Sequence, residues 1–134
     1  MNATSTAIAW DAPTDAESTV FATGVTVPEG KAAVDELGDE IAVRVVDVYP
    51  VKPIDEAGIV SAATGASRGI VVVEDHRPEG GLGDAVSAVL QRHTIGVPLT
   101  HLAVRDVPAS ATPAEQRADA CIDSTAITAA IRRT

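Results

Sequence analysis

The densest set of groups able to do chemistry is Glu74-Asp75-His76-Arg77, directly after the continuous apolar run at residues 70–73. Carboxylates beside an imidazole could move protons or hold a cation. An unbroken Ile/Val run reads as a strand covered on both faces. The carboxyl end of such a strand is where open α/β sheets place ligands. Successive residues of an extended chain point to opposite sides, so these four do not converge on one ion. The pattern favours a structural network, or a contact with another chain, over catalysis.

Two glycine-containing turns could meet a phosphate. Gly24-Val25-Thr26-Val27-Pro28-Glu29-Gly30-Lys31 has five residues between its terminal Gly and the Gly-Lys pair, where a nucleotide phosphate loop has four. Ala32 stands where a magnesium-holding hydroxyl belongs, and Pro28 removes a backbone donor. A strand-to-helix turn is the expectation. Glu79-Gly80-Gly81-Leu82-Gly83-Asp84 lies between a strand and a helix, but Val86 stands where Gly-x-Gly-x-x-Gly needs its last glycine. Its glycines permit close backbone approach, and Asp84 reads as a helix cap that would repel an anion. A packing or docking surface is favoured over ligand binding. His93, His101 and Cys121 have no partner at a telling spacing, and inert packing is the default for all three.

Composition removes whole classes of function. The 134 residues carry a net charge of −9, which opposes a nucleic-acid phosphate surface. No apolar run approaches the ~20 residues of a membrane span, and the start lacks a basic then apolar leader. A single cysteine forms no internal disulfide and no cysteine metal cage. Ile, Val, Leu and Phe number 33, enough for the core of one domain. A cytoplasmic location is expected.

The elements that must position these groups alternate. Strands are read at 18–23, 41–48, 70–73 and 97–104, with a candidate edge strand at 6–10 inside a small polar N-terminal segment, 1–17. Helices are read from Pro28 to Gly38, from Asp55 to about Thr64, at 85–92, from Thr112-Pro113, and from Asp123 to about Arg132. Tyr49-Pro50-Val51-Lys52-Pro53 reads as a loop. Strand–helix alternation implies a parallel sheet with helices on both faces, an α/β fold in which residues 18–134 form the domain.

Six motifs stand in order: Val20-Phe21-Ala22-Thr23-Gly24, Val43-Arg44-Val45-Val46-Asp47, Lys52-Pro53-Ile54-Asp55, Val73-Glu74-Asp75-His76, Pro78-Glu79-Gly80-Gly81-Leu82-Gly83 and Thr100-His101-Leu102-Ala103-Val104. This succession closely resembles the C-terminal domain of transketolases, from about residue 6 to the end. The resemblance implies a three-layer α/β/α sandwich on a mixed five-stranded sheet whose first strand, at 6–10, is antiparallel. Departures come at Arg77, often aromatic in the family, and late in the chain. There Ala111 and Cys121 replace usual glycines, and Gln116-Arg117 replaces usual leucines.

Transketolases transfer a two-carbon ketol unit between sugar phosphates with thiamine diphosphate and a divalent cation such as Mg. Two other domains build that cofactor site, and its signature begins Gly-Asp-Gly and ends in paired asparagines. This sequence has no Gly-Asp-Gly and one asparagine, Asn2. The resemblance therefore implies a non-catalytic C-terminal domain or subunit, inactive alone, with no catalytic, cofactor or metal residue of its own. Partner subunits carrying the diphosphate and pyrimidine domains would complete the enzyme in a homo- or hetero-oligomer. Met1 favours a natural subunit of a split enzyme over a fragment. Two other readings stand beside it: the equivalent part of a deoxyxylulose-phosphate synthase or 2-oxo-acid dehydrogenase beta subunit, and a free-standing ligand- or protein-binding module. Candidate contact or regulatory residues are Glu74, Asp75, His76, Gly80, Gly81 and Gly83.

Overall fold

A computed structural model describes residues 7–10 (backbone), 15–48, 54–107 and 110–134. The predicted loop at 49–53 lies outside the described residues. Strands β1 (Ala7–Trp10), β2 (Ser18–Ala22), β3 (Val43–Val48), β4 (Gly69–Val73) and β5 (Leu99–Leu102) alternate with helices α1 (Thr26–Leu37), α2 (Glu56–Thr64) and α3 (Leu82–Arg92). Helices α4 (Pro113–Asp119) and α5 (Ser124–Arg133) follow. The sheet order is β1-β3-β2-β4-β5. The β2·β3, β2·β4 and β4·β5 pairs are parallel, and β1 runs antiparallel to β3 with Ala9 opposite Val46. This is the mixed five-stranded sheet that the resemblance implies.

Each strand feeds both faces because side chains alternate. Val20, Ala22, Val43, Val45, Val71 and Val73 pack beneath Val27, Ala33 and Leu37 of α1 and Ile127 and Ile131 of α5. Phe21, Val46, Val48, Ile70 and Val72 face the other way, onto Ile59 and Ala63 of α2 and Val86 and Val89 of α3. Both faces of β2 and β4 are therefore covered, as their unbroken apolar runs require.

Several boundaries differ from the sequence reading. Helix α1 starts two residues before Pro28, because the Thr26 hydroxyl closes the preceding turn, 2.7 Å from the Thr23 carbonyl oxygen and 3.1 Å from that of Val73. Strand β3 starts at Val43, with Ile41 buried in the core ahead of it. Strand β5 is half the predicted length: beyond Leu102 the chain leaves the ladder, and the Val104 N–H reaches the His76 carbonyl in the adjoining loop. Helix α3 starts at Leu82, not Ala85. Asp55 and Thr112 cap α2 and α4 as predicted, each accepting a first-turn N–H. No helix among the described residues is long and apolar enough to cross a membrane.

Cys121 adopts φ 58°, a left-handed conformation, at the link between α4 and α5. Such a conformation costs a side-chain-bearing residue roughly 1–2 kcal/mol. That gives a physical reason for the glycine that the resemblance implies at this position. Cys121→Gly is expected to stabilise the domain by about 0.5–1 kcal/mol, after the extra unfolded-state entropy of glycine is deducted. Urea unfolding of the two proteins measures it.

Candidate functional site

The loops at the carboxyl ends of β4 and β5 meet at one buried side chain. Glu74 directly follows β4 and is 1% exposed. Its Oε1 accepts the Leu82 N–H at 2.8 Å, and its Oε2 accepts the Gly83 N–H at 2.8 Å. These are the first two N–H groups of α3, which an ordinary side-chain cap would satisfy. Here the N-cap is Gly81, with no side chain to offer. The carboxylate reaches across from the neighbouring strand and meets the positive end of the helix dipole.

His101 of β5 completes the arrangement. Its Nε2 lies 2.6 Å from Glu74 Oε2 and donates, since both carboxylate oxygens are already accepting. One side chain thus binds three elements: β4, the start of α3, and β5. The nearby glycines follow from this. A Cβ on Gly81 would overlap Glu74 Oε1, and one on Gly83 would overlap the His101 ring. They are small because a carboxylate and an imidazole fill the space.

The predicted site residues divide accordingly. Glu74 and Gly83 are buried, and Gly81 is half-buried. Asp75, His76 and Gly80 are exposed. His76 Nδ1 donates to the Arg77 carbonyl at 2.7 Å and sits 3.8 Å from Glu74 Oε1. Arg77 pairs with Glu79 at 3.3 Å. The alternation argument holds for Glu74 and Asp75, one inward and the other outward. Asp84 is not the helix cap expected of it. It lies within the first turn and reaches back to accept the Gly80 N–H at 2.7 Å, closing the glycine turn.

The structure places the two histidines in hydrogen bonds with glutamates and leaves Cys121 at the surface. His101 is the third partner of Glu74. His93 is exposed, with Nε2 2.8 Å from Glu56 Oε1. Hydrogen bonds from Arg92, and then from His93, hold the Glu56 carboxyl below the usual glutamate range. Cys121 is exposed. It shares a cleft of about 400 Å³ with His101, Val104, Arg105, Gln116 and Ala120. The sequence carries no local signal for the Glu74–His101 pair; the parallel register of β4 and β5, which sets His101 against Val72, brings the two together.

A second glutamate works in the same manner. Glu29 of α1 accepts the Ser124 N–H at the start of α5 at 2.8 Å and pairs with Arg117 Nε of α4 at 3.1 Å. Arg117 anchors α4 by charge, in a helix with no buried residue.

This site does not suit a diphosphate–metal group. The α3 end that would bind a phosphate already holds the Glu74 carboxylate. The turn before α1 brings Pro28 and the acidic Glu29. Among the described residues, no three His, Cys, Asp or Glu side chains cluster to hold a metal ion. The arrangement positions loops: the Glu74 oxygens are engaged with the α3 amides and with His101 Nε2.

Residues 12–127 match the family described as transketolase, C-terminal domain. The chain is 42% identical over 119 residues to the transketolase of Mus musculus, covering 88% of this chain and 19% of that protein. It is 43% identical over 98 residues to transketolase-like protein 1 of Bos taurus, covering 72% of this chain and 16% of that protein. The chain thus spans less than a fifth of the curated relatives it matches. Among solved structures, it superposes on a split gene transketolase, an inactive beta4 tetramer, with TM-score 0.79 and 31% identity over 87% of this chain and 38% of that one. A transketolase from Leishmania mexicana shares the fold, with TM-score 0.69 and 18% identity over 96% of this chain and 18% of that one.

Removing the Glu74 side chain strands two helix N–H groups and the His101 ring. Glu74→Ala is expected to cost about 2–4 kcal/mol in chemical denaturation, combining a lost cap with buried unsatisfied groups. Gly83→Ala, which drives a methyl into His101, is expected to cost about 1–3 kcal/mol.

Proposed function

The chain belongs to the transketolase C-terminal domain family, and from that premise we propose that it is the non-catalytic C-terminal unit of a thiamine-diphosphate-dependent transketolase. Its reactive centre is supplied by other domains, which hold the diphosphate, the divalent cation and the pyrimidine. The observation that carries this reading is the match to under a fifth of whole transketolases, joined to a site whose phosphate-like position is filled by the protein's own carboxylate. The split-gene neighbour supports it further. In that protein a chain containing this domain forms an inactive tetramer. A cytoplasmic location belongs to the same reading and accords with a chain whose single cysteine forms no internal disulfide.

The unit acts by holding shape. Asp75, His76 and Gly80 stand exposed on a loop anchored from beneath by Glu74 and Gly83. A loop fixed in this way can meet a partner domain with little ordering cost on association. When bound by the partner domains, thiamine diphosphate supplies the carbanion chemistry of ketol transfer, and this chain contributes the surface that completes the assembly.

Combining the chain with a polypeptide carrying the other two domains, plus thiamine diphosphate and Mg²⁺, is expected to yield ketol transfer between sugar phosphates that neither part shows alone. Running 2-oxo acids in parallel checks the substrate class. Charge reversal at Asp75 is expected to weaken the complex, seen by calorimetry, while the isolated domain melts within a few degrees of the original. Turnover by the chain alone, or the lack of any complex, would contradict the proposal.

A further inference from the structure

Asp47 is the last charged residue of β3, on the sheet face that Val43 and Val45 share with α1. It is half-buried, yet its carboxylate has no hydrogen-bond or ion-pair partner among the described residues. Two other carboxylates set into the fold are tied down: Glu74 by three donors, Glu29 by Arg117 and Ser124. Burial alone pushes the Asp47 carboxyl above the usual aspartate range. A partly desolvated carboxylate carries a cost that a neighbouring cation would relieve.

The surroundings leave room for one. Asp47 borders an open cleft of about 540 Å³ whose walls come from α1: Val27, Pro28, Lys31, Ala32 and Asp35. The titratable groups that line it besides Asp47 are Lys31 and the exposed Asp35, two acids against one base. The cleft is therefore an apolar trough with a net negative end. A group that fits has an aliphatic stem and a cationic head, which describes arginine more closely than lysine. A guanidinium is weakly hydrated and can pair bidentately with a carboxylate. The net charge of −9 adds long-range attraction for a basic partner surface.

We propose that the Asp47 cleft is a docking socket for an arginine side chain presented by the partner polypeptide of the assembly. This rests on the functional reading above and adds the residue on this chain that receives the partner. An arginine in the socket pairs with a carboxylate that has no partner among the described residues, and relieves its partial desolvation on association. The socket lies beside α1 and β3, apart from the Glu74-supported loop between β4 and α3, so two regions of the domain meet the partner.

The test compares the original chain with Asp47→Asn. In the free domain, the substitution is expected to raise the melting temperature at neutral pH. With its carboxyl raised, Asp47 costs the fold nothing below the ordinary aspartate range. The cost then grows as pH rises through the raised value. A higher melting temperature also establishes that the variant is folded. In calorimetry against the polypeptide carrying the other transketolase domains, Asp47→Asn is expected to weaken binding at least tenfold, roughly 1.4 kcal/mol. Arginine amide at millimolar concentration is expected to shift the NMR signals of Asp47 and Ala32 in the original chain and not in the variant. Equal binding of both proteins to the partner overturns the proposal, as does an arginine-amide titration that leaves Asp47 unmoved. Failure of the original chain to bind any partner, with the arginine-amide shift intact, sinks the functional reading and leaves a socket that takes arginine, which supports the chemistry assigned here.

Discussion

The carboxyl ends of β4 and β5 are organised by a carboxylate placed where a helix needs an acceptor. Glu74 meets the first two N–H groups of α3 and the His101 imidazole, all within 2.8 Å. A buried charge is tolerated when fully hydrogen-bonded, and a helix N-terminus is favourable ground for a negative one. Once Glu74 is fixed, the rest of the site follows. Gly81 and Gly83 must lack side chains, α3 must start at Leu82, and β5 must lie where His101 can reach. The loop from Asp75 to Gly80 is held at both ends, by Glu74 before it and by the Gly80 N–H, which donates to Asp84.

That constraint bears directly on function. In α/β folds a free helix N-terminus after a strand is a natural phosphate site. This fold spends that position internally, so the glycine-rich turn that resembles a ligand loop serves as a joint. A joint of this kind suits a unit that transmits shape to neighbours while the chemistry is done elsewhere. Glu29 repeats the device on the opposite face, tying α1 to α4 and α5. In both cases an acid from one element caps a helix belonging to another, so helix ends and tertiary packing are stabilised together.

The local features were legible in the sequence. Asp55 and the Thr112-Pro113 start announce their helices because a cap and its N–H lie three residues apart. The Ile/Val run of β4 announces a doubly covered strand because each face must be apolar. The strand β1 was a candidate from its pattern, but its antiparallel direction was legible only through resemblance, since strand direction is set by pairing and not by local sequence. The long-range acceptors were not legible. Glu74 lies eight and nine residues from its helix partners and 27 from His101, and Glu29 lies 95 from Ser124. Nothing in the local sequence distinguishes such a glutamate from a solvated one. The early start of α3 escaped for the same reason, because Asp84 looked like the cap that Glu74 supplies from outside. Cys121 hid its left-handed backbone, because a cysteine at a turn carries no sign of φ.

The central claim is that Glu74 already occupies the anion position at the start of α3, so this chain has no diphosphate site there. The most direct measurement is an NMR titration of the purified chain with thiamine diphosphate and Mg²⁺, following the Leu82 and Gly83 amides. The account predicts that both signals stay in place through the titration. A saturable shift of the two together, with Glu74 displaced from them, would contradict it.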